Sequence, residues 1–198
     1  MAALKGLAWL ILKTGGWKVE GVAPAPKKFV LIAAPHTSNW DFVYMLAYAV
    51  TFDVRISWLG KKQMFAGPFA AIWKRIGGIP VDRGGAGNMV DRMAELFAER
   101  DALCLVVPVE GTRRYREYWK SGFYHIARAA GVPIVMSYLD YRTRNGGFGP
   151  AITPSGDVAR DMDTLREFYG DMRGKYPKET GRIRLREEDA ADNEAPAA

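Results

Sequence analysis

The chain predicts an α/β fold: a single domain with a mostly parallel central sheet flanked by helices. Three observations carry that prediction. Short apolar runs at residues 29–34, 102–108 and 133–139, each bounded by Pro or Gly or by charged residues, read as buried strands. Between them lie segments whose apolar residues recur at helical spacing, joined by short loops, and this alternation is what a parallel layer fold requires. The length, 198 residues, suits one domain with a substantial core.

Taken in order, residues 1–16 hold a short apolar core, Leu7 to Leu12, surrounded by Lys5, Trp9, Lys13 and Trp17. This composition predicts a short N-terminal helix lying in a membrane interface, with a helix packed on the domain as the alternative. A secretory signal is disfavoured, because the apolar region is short and the sole Ala-x-Ala site of the first thirty residues, Ala23 and Ala25, precedes Pro26. No segment reaches the roughly eighteen apolar residues that span a bilayer.

The strand at 29–34 ends at Pro35, which brings no N–H to a ladder. His36 follows in an exposed turn. Ser38 and Asn39 favour a helix start, and Phe42, Val43, Leu46, Ala47 and Val50 then recur at helical spacing over 40–51. Residues 54–59 read as a second strand, Gly60-Lys61-Lys62 as a basic loop, and 64–75 as a helix interrupted near Gly67-Pro68. A compact strand over 77–83 ends in Asp82-Arg83, and Gly84-Gly85-Ala86-Gly87 opens onto a helix over 88–100. After the strand at 102–108 comes a loop, 109–116, carrying Glu110-Gly111-Thr112-Arg113. A helix over 119–130 stops at Gly131, as a C-terminal cap should, and a strand over 133–139 follows. Residues 141–144 and 148–153 flank Asn145-Gly146-Gly147, which predicts an antiparallel C-terminal hairpin. An amphipathic helix over 158–172 closes the series.

The net charge is +6, but residues 187–198 carry five acids and no base, so the body, 1–186, carries +11. The acidic, Ala-rich tail is expected to be disordered, and the domain to occupy 1–186. A basic body suits nucleic acid, an anionic membrane or a phosphorylated substrate. No nucleic-acid motif supports the first. The lone Cys104, inside a strand, excludes an internal disulfide framework and fits a reducing compartment.

Chemistry concentrates at His36 and Asp41. A neutral imidazole can take a proton from a hydroxyl near neutral pH, and a carboxylate fixes its tautomer and steadies the imidazolium. Asp41, three residues after Ser38, also fits a capping-box-like helix start, and both roles can coexist. Arg83, beside a glycine-rich entry to a helix, suits phosphate. Glu110-Gly111-Thr112-Arg113 leaves a buried strand at the same sheet edge as His36, with Gly111 permitting close ligand approach and Arg113, Arg114 and Arg116 adding charge. His125 reads as structural. No metal-ligand spacing, serine-hydrolase elbow or phosphate-loop lysine appears, so neither a metal nor a nucleotide cofactor is expected.

Read together, these motifs resemble the glycerol-phosphate/lysophosphatidate acyltransferase family, the His-x4-Asp acyltransferases, in order over about residues 29–155. PHTSNWD is similar to the family's first motif, GGIPVDR to its second, VEGTRR to its third and VPIVMS to its fourth. Linking residues agree, among them Gly60-Lys61-Lys62, Lys120-Ser121-Gly122 and Ile126-Ala127. Three positions depart: Pro35 precedes the histidine, Val109 separates Pro108 from Glu110, and Met136 replaces a second proline. The resemblance implies that His36 is the base and Asp41 its partner. It implies that Arg83 and Arg113 hold an acceptor phosphate, with Glu110, Gly111, Thr112 and Lys61 lining the acceptor site.

The implied activity is transfer of a fatty acyl group from acyl-CoA or acyl carrier protein, as co-substrate, to the hydroxyl of a lysophospholipid acceptor. The expected acceptor is 1-acyl-glycerol-3-phosphate, giving phosphatidate. A lyso-ornithine or other lyso-aminolipid, or glycerol 3-phosphate, is the alternative, and a non-catalytic lipid-binding module is the alternative of another class. The expected partner is a membrane surface and not nucleic acid, with the protein peripheral or monotopic on the cytoplasmic face.

Overall fold

Alternating apolar runs and amphipathic segments fold into a seven-stranded sheet with helices on both faces. The structure is a computed structural model and describes residues 2–81 and 89–189. The strands are β1 (Lys18–Val19), β2 (Lys28–Ala34), β3 (Ile56–Lys61), β4 (Gly78–Val81), β5 (Leu103–Pro108), β6 (Ile134–Asp140) and β7 (Asn145–Ile152). Across the sheet they run β1-β7-β6-β2-β5-β3-β4. Among the described residues, only the β6–β7 pair is antiparallel.

The α-helices among the described residues are α1 (Ala2–Thr14), α2 (Trp40–Thr51), α3 (Ala70–Arg75), α4 (Met89–Ala98), α5 (Gly122–Ala130) and α6 (Val158–Tyr169). The central strand shows how the layers form. Successive side chains of a strand point to opposite faces. Val30, Ile32 and Ala34 of β2 join Phe97 of α4, Phe123 of α5 and Leu165 of α6 on one side. Phe29 and Leu31 join Ala49, Met45 and Leu46 of α2 on the other.

Helix α1 takes a third position. Ala8 and Leu12 are buried against Ala47 and Tyr48 of α2, so the helix packs on the domain. Ile11 is partly buried in the same cluster, whereas Leu4, Leu7, Trp9 and Leu10 are each at least half exposed. No described helix is long and apolar enough to cross a membrane.

Three expectations are corrected. The segment 64–75 is a 3-10 turn, Lys62–Phe65, and the short α3, because Gly67-Pro68 interrupts the backbone ladder between them. The hairpin is present, but its turn is at 141–144. The Asp140 carboxylate accepts bonds from Arg142 N (3.1 Å) and Thr143 Oγ1 (2.6 Å), and Arg144 adopts φ 55. Asn145-Gly146-Gly147 instead opens β7, pairing with Asp140, Leu139 and Tyr138. Glycine is needed there for room, since a Cβ at Gly146 would lie 2.8 Å from the Tyr48 ring.

The acidic stretch is also anchored at its start, because its carboxylates find partners on the body. Glu188 is 3% exposed, accepts from Leu185 N (2.7 Å) and meets Arg166 Nη1 at 2.7 Å, while Asp189 meets Arg184 Nε at 2.6 Å. Residues 190–198 lie outside the described residues.

Candidate active site

Parallel pairing of β2 with β5, with Ala33 opposite Pro108, brings the loops after both strands to one sheet edge. That register places Pro35-His36 beside Val109-Glu110. Glu110, 2% exposed, uses Oε1 to accept the backbone N–H of His36 at 3.0 Å. Burial raises its carboxyl above the usual carboxylate range, with the His36 N–H bond opposing.

The His36 imidazole places Nδ1 3.2 Å from Oδ2 of Asp41, which is buried at 4% exposure. The same Oδ2 accepts the backbone N–H groups of Thr37 (2.9 Å) and Ser38 (2.8 Å). Oδ1 accepts the Tyr141 hydroxyl at 2.6 Å. One carboxylate therefore performs both roles expected of it, tying the helix start and facing the imidazole. With its oxygens already accepting from Thr37, Ser38 and Tyr141, the carboxylate favours a proton on the facing Nδ1, which leaves the Nε2 lone pair able to accept one.

Beside His36 an apolar cavity of about 290 Å³ runs beneath α2, between Leu31, Ala33, Met45, Trp58, Val106 and Phe148. Gly111 and Lys120 also line it, and the His36 side chain is 20% exposed there. A separate groove, open to solvent, is formed by Thr37, Thr112, Arg113 and Arg114 together with Tyr176 and Lys178. Thus His36, Asp41 and Gly111 line one cavity, while Thr112 and Arg113 line the neighbouring groove, and Glu110 bonds the turn behind both. Lys61 is exposed at the end of β3 and lines neither. Arg83, with Gly84-Gly85-Ala86-Gly87, lies outside the described residues. His125 is a surface residue 3.4 Å from Glu187. Among the described residues no cluster of His, Cys, Asp and Glu has the geometry of a metal site.

Two contributions were not foreseen. Tyr141 reaches Asp41 from the end of the neighbouring strand, β6. The segment 173–184 then straps the site together: Arg173 N bonds Asp140, Tyr141 N bonds Arg173 O, Tyr176 N bonds Thr37 Oγ1, Tyr115 N bonds Glu179, and Trp119 N bonds Arg184 O. Neither carries a local motif. Only their position after the last parallel strand placed them at the sheet's carboxyl edge.

The fold and the site together define an α/β protein with a histidine–carboxylate pair at the mouth of an apolar cavity, an arrangement fitted to a substrate with a long apolar part. Residues 16–140 match the acyltransferase family model, and the chain belongs to the acyltransferase family. Its structure is similar to that of the 1-acyl-sn-glycerophosphate (LPA) acyltransferase PlsC from Thermotoga maritima, with a TM-score of 0.53 and 16% identity, covering 100% of this chain and 83% of that one. No curated protein sequence matches it at a significant level.

Proposed function

We propose that the protein moves a fatty acyl group from acyl-CoA or acyl carrier protein onto the hydroxyl of a lysophospholipid-type acceptor, most readily 1-acyl-glycerol-3-phosphate. The observation that carries this reading is the Asp41-held imidazole of His36 at the mouth of an apolar cavity. His36 takes the proton of the acceptor hydroxyl as its oxygen attacks the thioester carbonyl. Asp41 stabilises the imidazolium, and the tetrahedral intermediate collapses as the C–S bond breaks. The imidazolium then returns the proton to the departing thiolate. The thioester is itself the activated group, so the chemistry asks for no resident cofactor.

Phosphate on the acceptor is favoured by Arg113 in the groove beside Thr37 and, on sequence grounds, by Arg83. The fit of Trp9, Leu7 and Leu10 on the open face of α1 to a bilayer interface, with the basic body behind them, supports a peripheral position on the cytoplasmic face. Purified protein should be offered a panel of lyso-acceptors with both donors and the products read by mass. His36→Ala should lower turnover by about 10²–10⁴-fold, and Asp41→Asn by a smaller factor. Near-wild-type turnover in His36→Ala would sink the mechanism. Normal handling of lysophosphatidate by Arg113→Ala and Arg83→Ala, with failure on a lyso-aminolipid, would move the acceptor assignment to that class.

A further inference from the structure

The solvent-open groove beside the catalytic turn has a wall that comes from beyond the matched family region. Thr37, whose N–H holds Asp41, forms one side. Thr112, Arg113 and Arg114 form the floor, and the strap contributes Tyr176 and Lys178. Residues 176 and 178 lie well past position 140, where the family match stops.

The groove is held in shape by two bonds that cross it. Tyr176 N donates to Thr37 Oγ1 at 3.2 Å, and Tyr115 N donates to Glu179 Oε2 at 2.9 Å. The second of these engages one oxygen of Glu179, the sole acid among the groove's lining residues, against three cations, so the lining keeps an excess of positive charge. Among the described residues, Arg113, Arg114 and Lys178 form no ion pair with a carboxylate. Three like charges gathered along a pre-formed groove repel one another unless an anion lies between them. Thr37 lines this groove and its N–H bonds Asp41, so an anionic group bound here would lie beside the His36–Asp41 turn.

We infer that the strap residue Lys178, with Arg114, is a specificity-determining contact for the phosphate monoester of the acyl acceptor. This rests on the acyltransferase reading above and adds a second arm to its acceptor site, facing Arg113 across the groove. Phosphate monoester is also present in the donor, as the 3′-phosphate of CoA, so the test separates the two sources. Lys178 is exposed, and its replacement leaves the strap's hydrogen bonds in place.

Steady-state kinetics should be measured at low salt with a short-chain, monomeric lysophosphatidate, using acyl-CoA and acyl carrier protein in turn. Lys178→Ala should raise the acceptor KM about two- to five-fold and Lys178→Glu about tenfold, with kcat and melting temperature unchanged. Lys178→Arg should stay near wild type, a zwitterionic lysophosphatidylcholine should be insensitive, and the effects should shrink at high salt. An unchanged acceptor KM in both Lys178→Glu and Arg114→Ala overturns the inference. So does a KM rise confined to acyl-CoA and absent with acyl carrier protein, which assigns the groove to the donor. Should the wild-type protein transfer no acyl group at all, calorimetric titration with glycerol 3-phosphate decides separately: saturable binding lost in Lys178→Glu keeps the groove, and no binding removes it.

Discussion

The hydroxyl of Tyr141 donates a 2.6 Å hydrogen bond to Oδ1 of Asp41, the oxygen that His36 does not touch. A carboxylate held on both sides cannot rotate away from the imidazole. Ring contacts with Trp17 (4.8 Å) and Tyr44 (6.4 Å) fix the phenol independently of that bond. Tyr141→Phe is therefore expected to keep the fold and lose orientation. Hydrogen bonds to charged groups contribute about 1.5–3 kcal/mol, so kcat should fall by about tenfold or more while KM and melting temperature stay close to wild type. A parallel loss of stability and KM would show that Tyr141 acts only in packing.

Glu110 predicts a pH dependence of stability. Its folded-state carboxyl is raised by burial, so between the unfolded and folded values the native state binds more protons than the unfolded chain. This group's contribution is therefore largest below the unfolded value and declines as pH rises through the folded value. Glu110→Gln keeps a carbonyl oxygen for the His36 N–H and removes the titration. Denaturant unfolding across pH should show the variant gaining on wild type as pH rises through that window. A variant that loses ground with rising pH contradicts the assignment.

Gly174 abuts the His36–Asp41 turn. A Cβ at this position would lie 2.7 Å from Thr37 Oγ1 and 2.8 Å from Thr37 Cγ2. Gly174→Ala must move Thr37, whose N–H bonds Asp41, or move the strap. Overpacking of this kind costs about 1–3 kcal/mol, and activity should fall by more than the lost stability explains, measured at a temperature where the variant is fully folded. Full activity per folded molecule would mean the strap does not position the turn.

The two faces of α1 are separable. Leu12, 1% exposed, packs in the core, and Leu12→Ala should destabilise the protein by about 2–5 kcal/mol. Replacing Leu7 and Trp9, both 54% exposed, with Ser should leave unfolding nearly unchanged and weaken sedimentation with anionic liposomes. Retained liposome binding in the double variant would place the anchoring on the basic body instead.

Much of the layer order was legible because burial writes a local period into the chain. The runs at 29–34, 102–108 and 133–139 became β2, β5 and β6, and the five-residue interval from His36 to Asp41 spans one turn and the first turn of α2. Those are short-range relations, set by strand and helix geometry and by Pro35 ending its strand. The hairpin turn escaped because Asp140 bonds it from one residue before, whereas the glycines that resembled a turn serve a close approach to Tyr48, 98 positions earlier in the case of Gly146. Tyr141 on Asp41, Glu110 on the His36 N–H and the strap over Thr37 join residues 100, 74 and 139 positions apart. Sequence alone put His36, Asp41 and the Glu110–Arg113 loop at one edge of the sheet, because each follows a strand at its carboxyl end. Only the tertiary structure decided what holds them there, because hydrogen bonds between distant segments depend on strand order and register, and no local period records either.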